Sequence, residues 1–381
     1  MKILLFYMGY IPGQRYGGPV TSMYHFSEMF GEEIDVKIVC KDHDFLKKNR
    51  YEDIDDGWNS VGKAKVLYLD DSRFNKKEFE LIIDTEMPDV IYSSSIFLAE
   101  LTLPLLTIAK KKRIPMILAP RGELSIDRIR SKWWKKIPYL WMLRTRNMLK
   151  GIKIQATSQA ERDDIINRLG VETGNIFLVE NIPCTRAFKE NINKKSGTLR
   201  IVATSRIQKK NNQLYSIKLV NQLKSNIFFD IYGPKEDPDY WAECEKEIKK
   251  APKNVKYTYR GVLPLTEIEK VYLQYDCLLH PTHSENYGHV IVEALCHDCP
   301  IVISKGTTPW DSVQDEGAGY CCAINDESYF IDSLEKIAQM NNEQYMQLVD
   351  NTRRYTNKLH MDVIKKKYRD MFEKTIKLYN K

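Results

Sequence analysis

Short apolar runs alternate with longer segments of helical period along the whole chain. In the first half, runs at 2–8, 36–40, 66–69, 90–93, 116–119 and 153–156 are rich in β-branched residues and flanked by Gly, Pro or Asp. That pattern predicts buried parallel strands. Helical patterns lie between them, notably at 20–30, 97–111 and 159–169. The alternation breaks around 179–198, where a polar stretch follows Pro183, and restarts with runs at 199–203, 227–232, 255–260, 277–280 and 300–303. Strands alternating with helices on both sides of a break predict an α/β protein of two Rossmann-like, doubly wound domains. The expected units are 1–184 and 185–360, with a basic amphipathic helix at 361–381 that can cross back to the first. Two such domains facing one another place a ligand cleft at the carboxyl ends of their sheets.

Composition narrows the class without naming a chemistry. The chain has 381 residues, 43% hydrophobic and 29% charged, which suits an ordinary globular protein rather than a disordered or fibrous one. No run of about 18 uncharged apolar residues exists, so no membrane-spanning helix is expected. The apolar start, 3–8, is short and lacks a small-residue cleavage site, so it reads as a first strand of a cytoplasmic protein. A net charge of +7 suits phosphate-bearing ligands or an anionic membrane but is too weak to indicate nucleic acid. The eight cysteines are scattered, and the lone Cys296–Cys299 pair lacks a second ligand pair, so they are read as small buried residues and no metal is expected.

The densest chemistry lies between His280 and Leu295. A strand ends near His280, a polar loop carries Glu285, Asn286 and Tyr287, and Gly288 opens a helix containing Glu293. The start of that helix favours a diphosphate. Glu285 can accept hydrogen bonds from sugar hydroxyls, and Glu293 can grip a vicinal diol such as ribose. A loop carboxylate and a surface-facing helical Glu would give the same spacing without function. Near the other end, Gly17 and Gly18 follow the first strand and open a helix at Pro19, where backbone can approach an anion. The segment 128–150 combines eight cations and three tryptophans with no acid. That composition suits docking on anionic lipid. A helix burying its Trp and Leu while Lys and Arg face water has the same composition, and Pro138 interrupts the segment.

These residues resemble the retaining family 4 glycosyltransferases, the glycosyl transferases group 1. Glu285 and Glu293 match that family's pair of glutamates separated by seven residues, and the segments at 284–289 and 292–295 look like its usual context. The resemblance implies the GT-B fold and sugar transfer from a nucleotide-diphospho-sugar without a metal or other cofactor. It places Glu285 at the donor sugar and Glu293 at the ribose, with Asn286, Tyr287 and Gly288 lining the phosphate and sugar pocket. Segment 204–213 resembles the stretch where an Arg and a Lys five positions later hold the diphosphate. Arg206 matches, but Asn211 occupies the lysine position, with Lys209 and Lys210 just before it. Either Lys210 reaches the phosphate or diphosphate binding is weakened. The departing diphosphate gains negative charge, so at least one cation is needed.

Further matches are Gly233 at a strand-to-loop junction, Arg260–Gly261 at another, and the loop 306–310. In the first half, Gly17–Gly18 resembles the family's glycine loop at the donor phosphate and sugar, and Arg121–Gly122 a second donor segment. No His or carboxylate stands out as a base for an inverting reaction, although Glu123 and Asp127 lie nearby in sequence. That absence fits retention, which the resemblance implies, with catalysis by Glu285, Arg206 and Lys210. The resemblance also implies an acceptor bound by the first domain. It points to bacterial surface polysaccharide assembly (O-antigen, capsule or exopolysaccharide) on a polyprenyl-diphosphate-linked saccharide at the inner membrane face. Two alternatives remain open: a non-catalytic nucleotide-sugar-binding partner of a transferase, and a nucleotide-sugar epimerase of the same fold.

Overall fold

Every residue of three strands in the first half is buried, polar Ser93, Ser94, Lys153 and Gln155 included, because helices cover both faces of the sheet there. The computed structural model describes residues 1–285 and 287–379, apart from the Asp127 side chain. Contacts divide them into one unit of 1–182 with 361–381 and a second of 183–360.

The first unit holds an eight-stranded sheet formed by β1 (Lys2–Phe6), β2 (Asp35–Lys41), β3 (Trp58–Val61), β4 (Ala64–Leu69), β5 (Val90–Ser94), β6 (Met116–Ala119), β7 (Lys153–Ala156) and β8 (Ile176–Leu178). Their order is β3-β4-β2-β1-β5-β6-β7-β8. All pairs are parallel except β3–β4, an edge hairpin whose turn uses Gly62 at φ +56°. Neither edge strand was predicted: β3, Trp-Asn-Ser-Val, carries no apolar run because an edge half open to water needs none, and the apolar run of β8 is only three residues long. β1 stops at Phe6 rather than residue 8, although the Tyr7 N–H still donates to Val39 O at 3.1 Å.

The second unit holds a parallel sheet of β9 (Thr198–Thr204), β10 (Asn226–Tyr232), β11 (Val255–Gly261), β12 (Cys277–His280), β13 (Ile301–Ser304) and β14 (Gly319–Cys322). The order is β11-β10-β9-β12-β13-β14, the doubly wound order in which the chain reverses direction between its first and fourth strands. β14 was not predicted; its Gly-Tyr-Cys-Cys sequence has no aliphatic run, and its pairing with β13 makes it a strand.

Two segments differ from the sequence expectation. The helix Trp133–Thr145 runs straight through Pro138, whose missing N–H leaves only the carbonyl of exposed Trp134 without its helical donor. Leu140 and Leu143, not the tryptophans, fill the core from this helix. The final helix, Met361–Tyr379, lays Tyr368 and Phe372 on the first unit. Ring centroids lie 5.7 Å apart for Phe26 with each of them and 5.8 Å for Tyr92 with Phe372. Gln155 Nε2 donates to the Tyr368 hydroxyl at 2.9 Å and to Val179 O at 2.8 Å, which satisfies a buried amide beneath the helix. Phe372→Ala is expected to destabilise the protein by about 3–5 kcal/mol, read as a lower urea midpoint. An unchanged midpoint would show that this helix contributes nothing to the unit.

Candidate functional site

Because β9 and β12 are adjacent but lead their chains to opposite sides, the loops that follow them meet at the carboxyl edge of the sheet. These loops, 205–212 and 281–288, are laced through their backbones. His283 N–H donates to Lys210 O at 3.0 Å, the Thr282 hydroxyl to the same carbonyl at 3.2 Å, and Asn212 Nδ2 to Pro281 O at 3.1 Å. The lacing brings Lys210 Nζ to 3.6 Å from Glu285 Oε2. Arg206, on the same loop, sits 3.4 Å from Glu236 Oε1. Both cations keep 43% of their side-chain surface exposed, so each can still meet an anion.

Asn211 has a different task. It is buried in the short turn Lys209–Asn211, and its Nδ2 donates to Arg206 O at 2.7 Å. Gln213 Nε2 donates to the same carbonyl at 2.8 Å and to the Ser205 hydroxyl at 2.9 Å. Two side-chain amides thus fix the backbone of the residue carrying the Arg206 guanidinium, and Lys210 presents the second cation. Sequence reading noted Asn211 only as a missing lysine and passed over Gln213; a run of amides directly after a basic loop was the available signal. Gly233 lies against this loop from β10. At φ +144° a Cβ there would stand 2.0 Å from Ser205 O, so only glycine permits the approach.

The Glu285 loop is braced from its far side by 306–310, which follows β13. Glu285 N–H donates to Thr307 O at 2.7 Å, and the Trp310 indole N–H donates to Tyr287 O. The Tyr287 and Trp310 rings lie 5.6 Å apart, edge to face. Gly288, at φ +75°, heads the helix His289–Cys296 with no side-chain cap, which leaves this helix start suited to an anion. Glu293 is buried one turn into that helix. Asn286 lies outside the described residues.

Two nearby features carry structure rather than chemistry. Asp298, inside the Cys296–Cys299 pair, is buried and receives the Arg353 guanidinium and the Lys189 N–H at 2.7 Å. All eight cysteines are buried free thiols. Burial pushes the Cys299, Cys321 and Cys322 thiols up to about 12, which keeps them protonated and unreactive. His280, at the end of β12, is pushed down to about 4 by burial and then by the Lys210 charge, and its Nε2 has no hydrogen-bond partner among the described residues.

In the first unit β1 and β5 form the corresponding point of divergence. Gly17, at φ +72°, is the N-cap of the helix Gly18–Phe30, with Pro19 in its first turn and no side-chain cap. Arg121, expected to face a donor, is instead held within its own unit. The left-handed pair Arg121–Gly122 turns the guanidinium inward, where it donates to the Tyr92 hydroxyl at 2.6 Å and to Asn181 Oδ1. Glu123 accepts from Ser95 Oγ at 2.8 Å, Ile96 N–H at 2.7 Å and Phe97 N–H at 3.3 Å. Burial raises its pKa against those bonds, and its oxygens are engaged in fixing the loop after β5.

Residues 185–355, which contain all of these second-unit features, match the family model described as glycosyl transferases group 1. The matched segment belongs to the group 1 glycosyl transferases. Solved structures agree along the whole chain. HepE from Anabaena, crystallised with UDP and glucose, is 15% identical over 98% of this chain and 100% of its own, with a TM-score of 0.68. WaaG, a glycosyltransferase involved in lipopolysaccharide biosynthesis, is 11% identical over 97% and 99%, with a TM-score of 0.64. A TarM variant from S. aureus is 13% identical over 97% and 99%, with a TM-score of 0.65. At such identities these likenesses establish the fold, which is GT-B. No curated protein sequence matches significantly. Residues 185–355 are thus a glycosyl transferases group 1 domain within a chain of GT-B fold. No described helix is long and apolar enough to cross a membrane.

Two outcomes follow from the packing of this group 1 domain. The folded His280 titrates below its ordinary value of 6.5, so the unfolded chain binds more protons between pH 6.5 and 4. Stability from neutral His280 is complete above that window and falls as pH drops through it, by up to about 3 kcal/mol. His280→Leu should flatten this part of the urea-midpoint profile, and a profile as steep as wild type would remove His280 as its source. Gly233→Ala should cost about 3 kcal/mol or more by forcing the Ser205–Arg206 peptide away; a wild-type midpoint would contradict the close approach.

Proposed function

We propose that this chain is a glycosyltransferase that binds its nucleotide-diphospho-sugar mainly in the second unit and its acceptor in the first. Supporting this is the meeting of the Arg206–Lys210 loop with Glu285 at the switch point between β9 and β12, with Lys210 Nζ 3.6 Å from the carboxylate. In this reading Arg206 and Lys210 take the diphosphate together with the helix start at Gly288, and Gly17 and Gly18 are the donor-binding glycines of the first unit. Glu293 holds the ribose and Glu285 the transferred sugar, with Asn286 and Tyr287 beside it. Gly233 and Arg121 act by holding the loops around them.

The chemistry follows from charge. The bond from C1 of the sugar to the phosphate oxygen breaks, and both cations stabilise the departing diphosphate. The acceptor oxygen bonds to C1 on the same face, and its proton passes to the leaving phosphate oxygen, so no protein base is required. Uridine is the first base to test, because the HepE and TarM structures both hold UDP. The acceptor is read as a glycan on a polyprenyl diphosphate, in O-antigen, capsule or exopolysaccharide assembly at the cytoplasmic membrane face. This rests on the basic, Trp-rich segment 128–150, with peripheral contact to anionic lipid. WaaG, which shares the fold, is involved in lipopolysaccharide biosynthesis.

Calorimetry with UDP, GDP and ADP tests the donor site. One nucleotide should bind selectively, and Arg206→Ala, Lys210→Ala and Glu293→Ala should each weaken it about tenfold or more. Wild-type affinity in Lys210→Ala would remove Lys210 from the site. Asn211 at the family's lysine position favours a second reading, a non-catalytic partner that binds nucleotide sugar. Glu285→Gln separates the two: loss of sugar release from the donor, with nucleotide binding intact, supports an enzyme, whereas no turnover by wild type supports the partner.

A further inference from the structure

The helix Trp133–Thr145 has two apolar faces. One is buried through Leu140 and Leu143, with Tyr139 and Met142 partly buried beside them. The other is bare: Trp133 and Trp134 are each 58% exposed and Trp141 is 67% exposed, with Ile137 between them. Positions 133, 134, 137 and 141 fall within about 100° of helical arc, so they form one stripe. Three tryptophans on one open face exceed the scattered apolar residues of an ordinary surface. Arg128, Arg130, Lys132, Lys135 and Arg144 around this stripe are exposed and make no ion pair among the described residues.

A second protrusion of the same character follows β2. Leu46 is 83% exposed at φ +62°, beside exposed Phe45 and ahead of Lys47 and Lys48. It is a built loop: the Asp44 carboxylate accepts from the N–H groups of Gln14, Arg15 and Phe45 at 2.8–3.2 Å. The Tyr16 hydroxyl donates to His43 O at 2.8 Å.

Topology puts both protrusions on one edge. β2 and β6 are parallel members of the sheet, so the loops after them leave from its carboxyl side. The order β2-β1-β5-β6 separates them by three strand spacings, about 14 Å. The first turns of the tryptophan helix are pinned to that edge. Lys136 Nζ lies 4.9 Å from the Phe97 ring centroid, and the Tyr139 ring 6.0 Å from it, Phe97 being in the loop after β5.

We propose that this edge of the first unit stands on an anionic bilayer at two points. Trp133, Trp134, Ile137 and Trp141 settle at headgroup depth as one, and Phe45–Leu46 as the other. The surrounding Arg and Lys pair with lipid phosphates. The proposal rests on the reading of a lipid-linked acceptor and deepens it, adding the second contact and the face of the helix that does the work. Charge selects the occupant, because a second copy of the chain would set cations against cations, whereas an anionic surface complements them.

The full-length chain is tested by co-sedimentation with vesicles of phosphatidylcholine, with and without phosphatidylglycerol. Binding is expected to the mixed vesicles, with a blue shift of Trp emission, and to weaken with salt. Trp133→Ala/Trp134→Ala/Trp141→Ala should lower partitioning about tenfold or more. Leu46→Asp should lower it several-fold; Asp tolerates a positive φ better than Leu, so the loop shape survives. Failure of wild type to bind mixed vesicles, or equal binding by both variants, overturns the proposal. So does a vesicle-free, concentration-dependent rise in sedimentation coefficient that the tryptophan variant abolishes, which assigns the face to a second copy. Nucleotide calorimetry on the same proteins keeps the two readings apart: wild type that binds vesicles but no nucleotide sinks the donor site alone.

Discussion

Two neighbouring parallel strands, β9 and β12, lead their chains away from one another, and the space between the loops that follow is where this protein gathers its charges. A sheet that wound in one direction only would cover the carboxyl end of each strand with the next connection. Here the connections part, and residues far apart in sequence, Lys210 and Glu285, come to lie 3.6 Å apart without either loop being long. The sheet supplies the meeting point, and the loops have only to be held still.

Holding them still is the work of neutral groups. Carbonyls that would otherwise face water or their own turn are each claimed by side chains from elsewhere: Arg206 O by Asn211 and Gln213, Lys210 O by Thr282, Pro281 O by Asn212. Fixing the backbone this way lets long, flexible cations begin from a defined place, so less of their freedom remains to be lost when an anion arrives. The first unit uses acids for the same purpose. Glu123 ties 123 to 95–97, and Glu161 ties the Gly122 N–H and Thr157, which makes the loops after β5, β6 and β7 a single frame.

Much of this was legible in the sequence, for identifiable reasons. Strands buried on both faces announce themselves as short apolar stretches between Gly, Pro or Asp, so β6, β7 and β12 could be read to the residue, and β5 nearly so, despite the Ser of β5 and the Lys and Gln of β7. Strands defined by pairing, such as β3 and β14, could not. The glutamate pair and Arg206 were visible because their spacing follows strand, loop and helix in order. The inward turn of Arg121 was not, since it depends on a left-handed backbone at a non-glycine residue and on Tyr92 and Asn181, distant in sequence. The tryptophans of 133–141 posed the sharpest ambiguity, because composition is the same whether a helix turns its leucines or its indoles inward.

The grouping of the helix Met361–Tyr379 with residues 1–182 makes the first unit discontinuous in the chain. On the ribosome, Phe26, Phe30 and Tyr92 form a surface whose aromatic partners Tyr368 and Phe372 do not yet exist. The whole second unit must be translated first, a delay of roughly 10 to 40 s at ordinary elongation speeds. The second unit, being continuous, can finish in order of synthesis, whereas the first cannot cover this aromatic face until the last helix has been made.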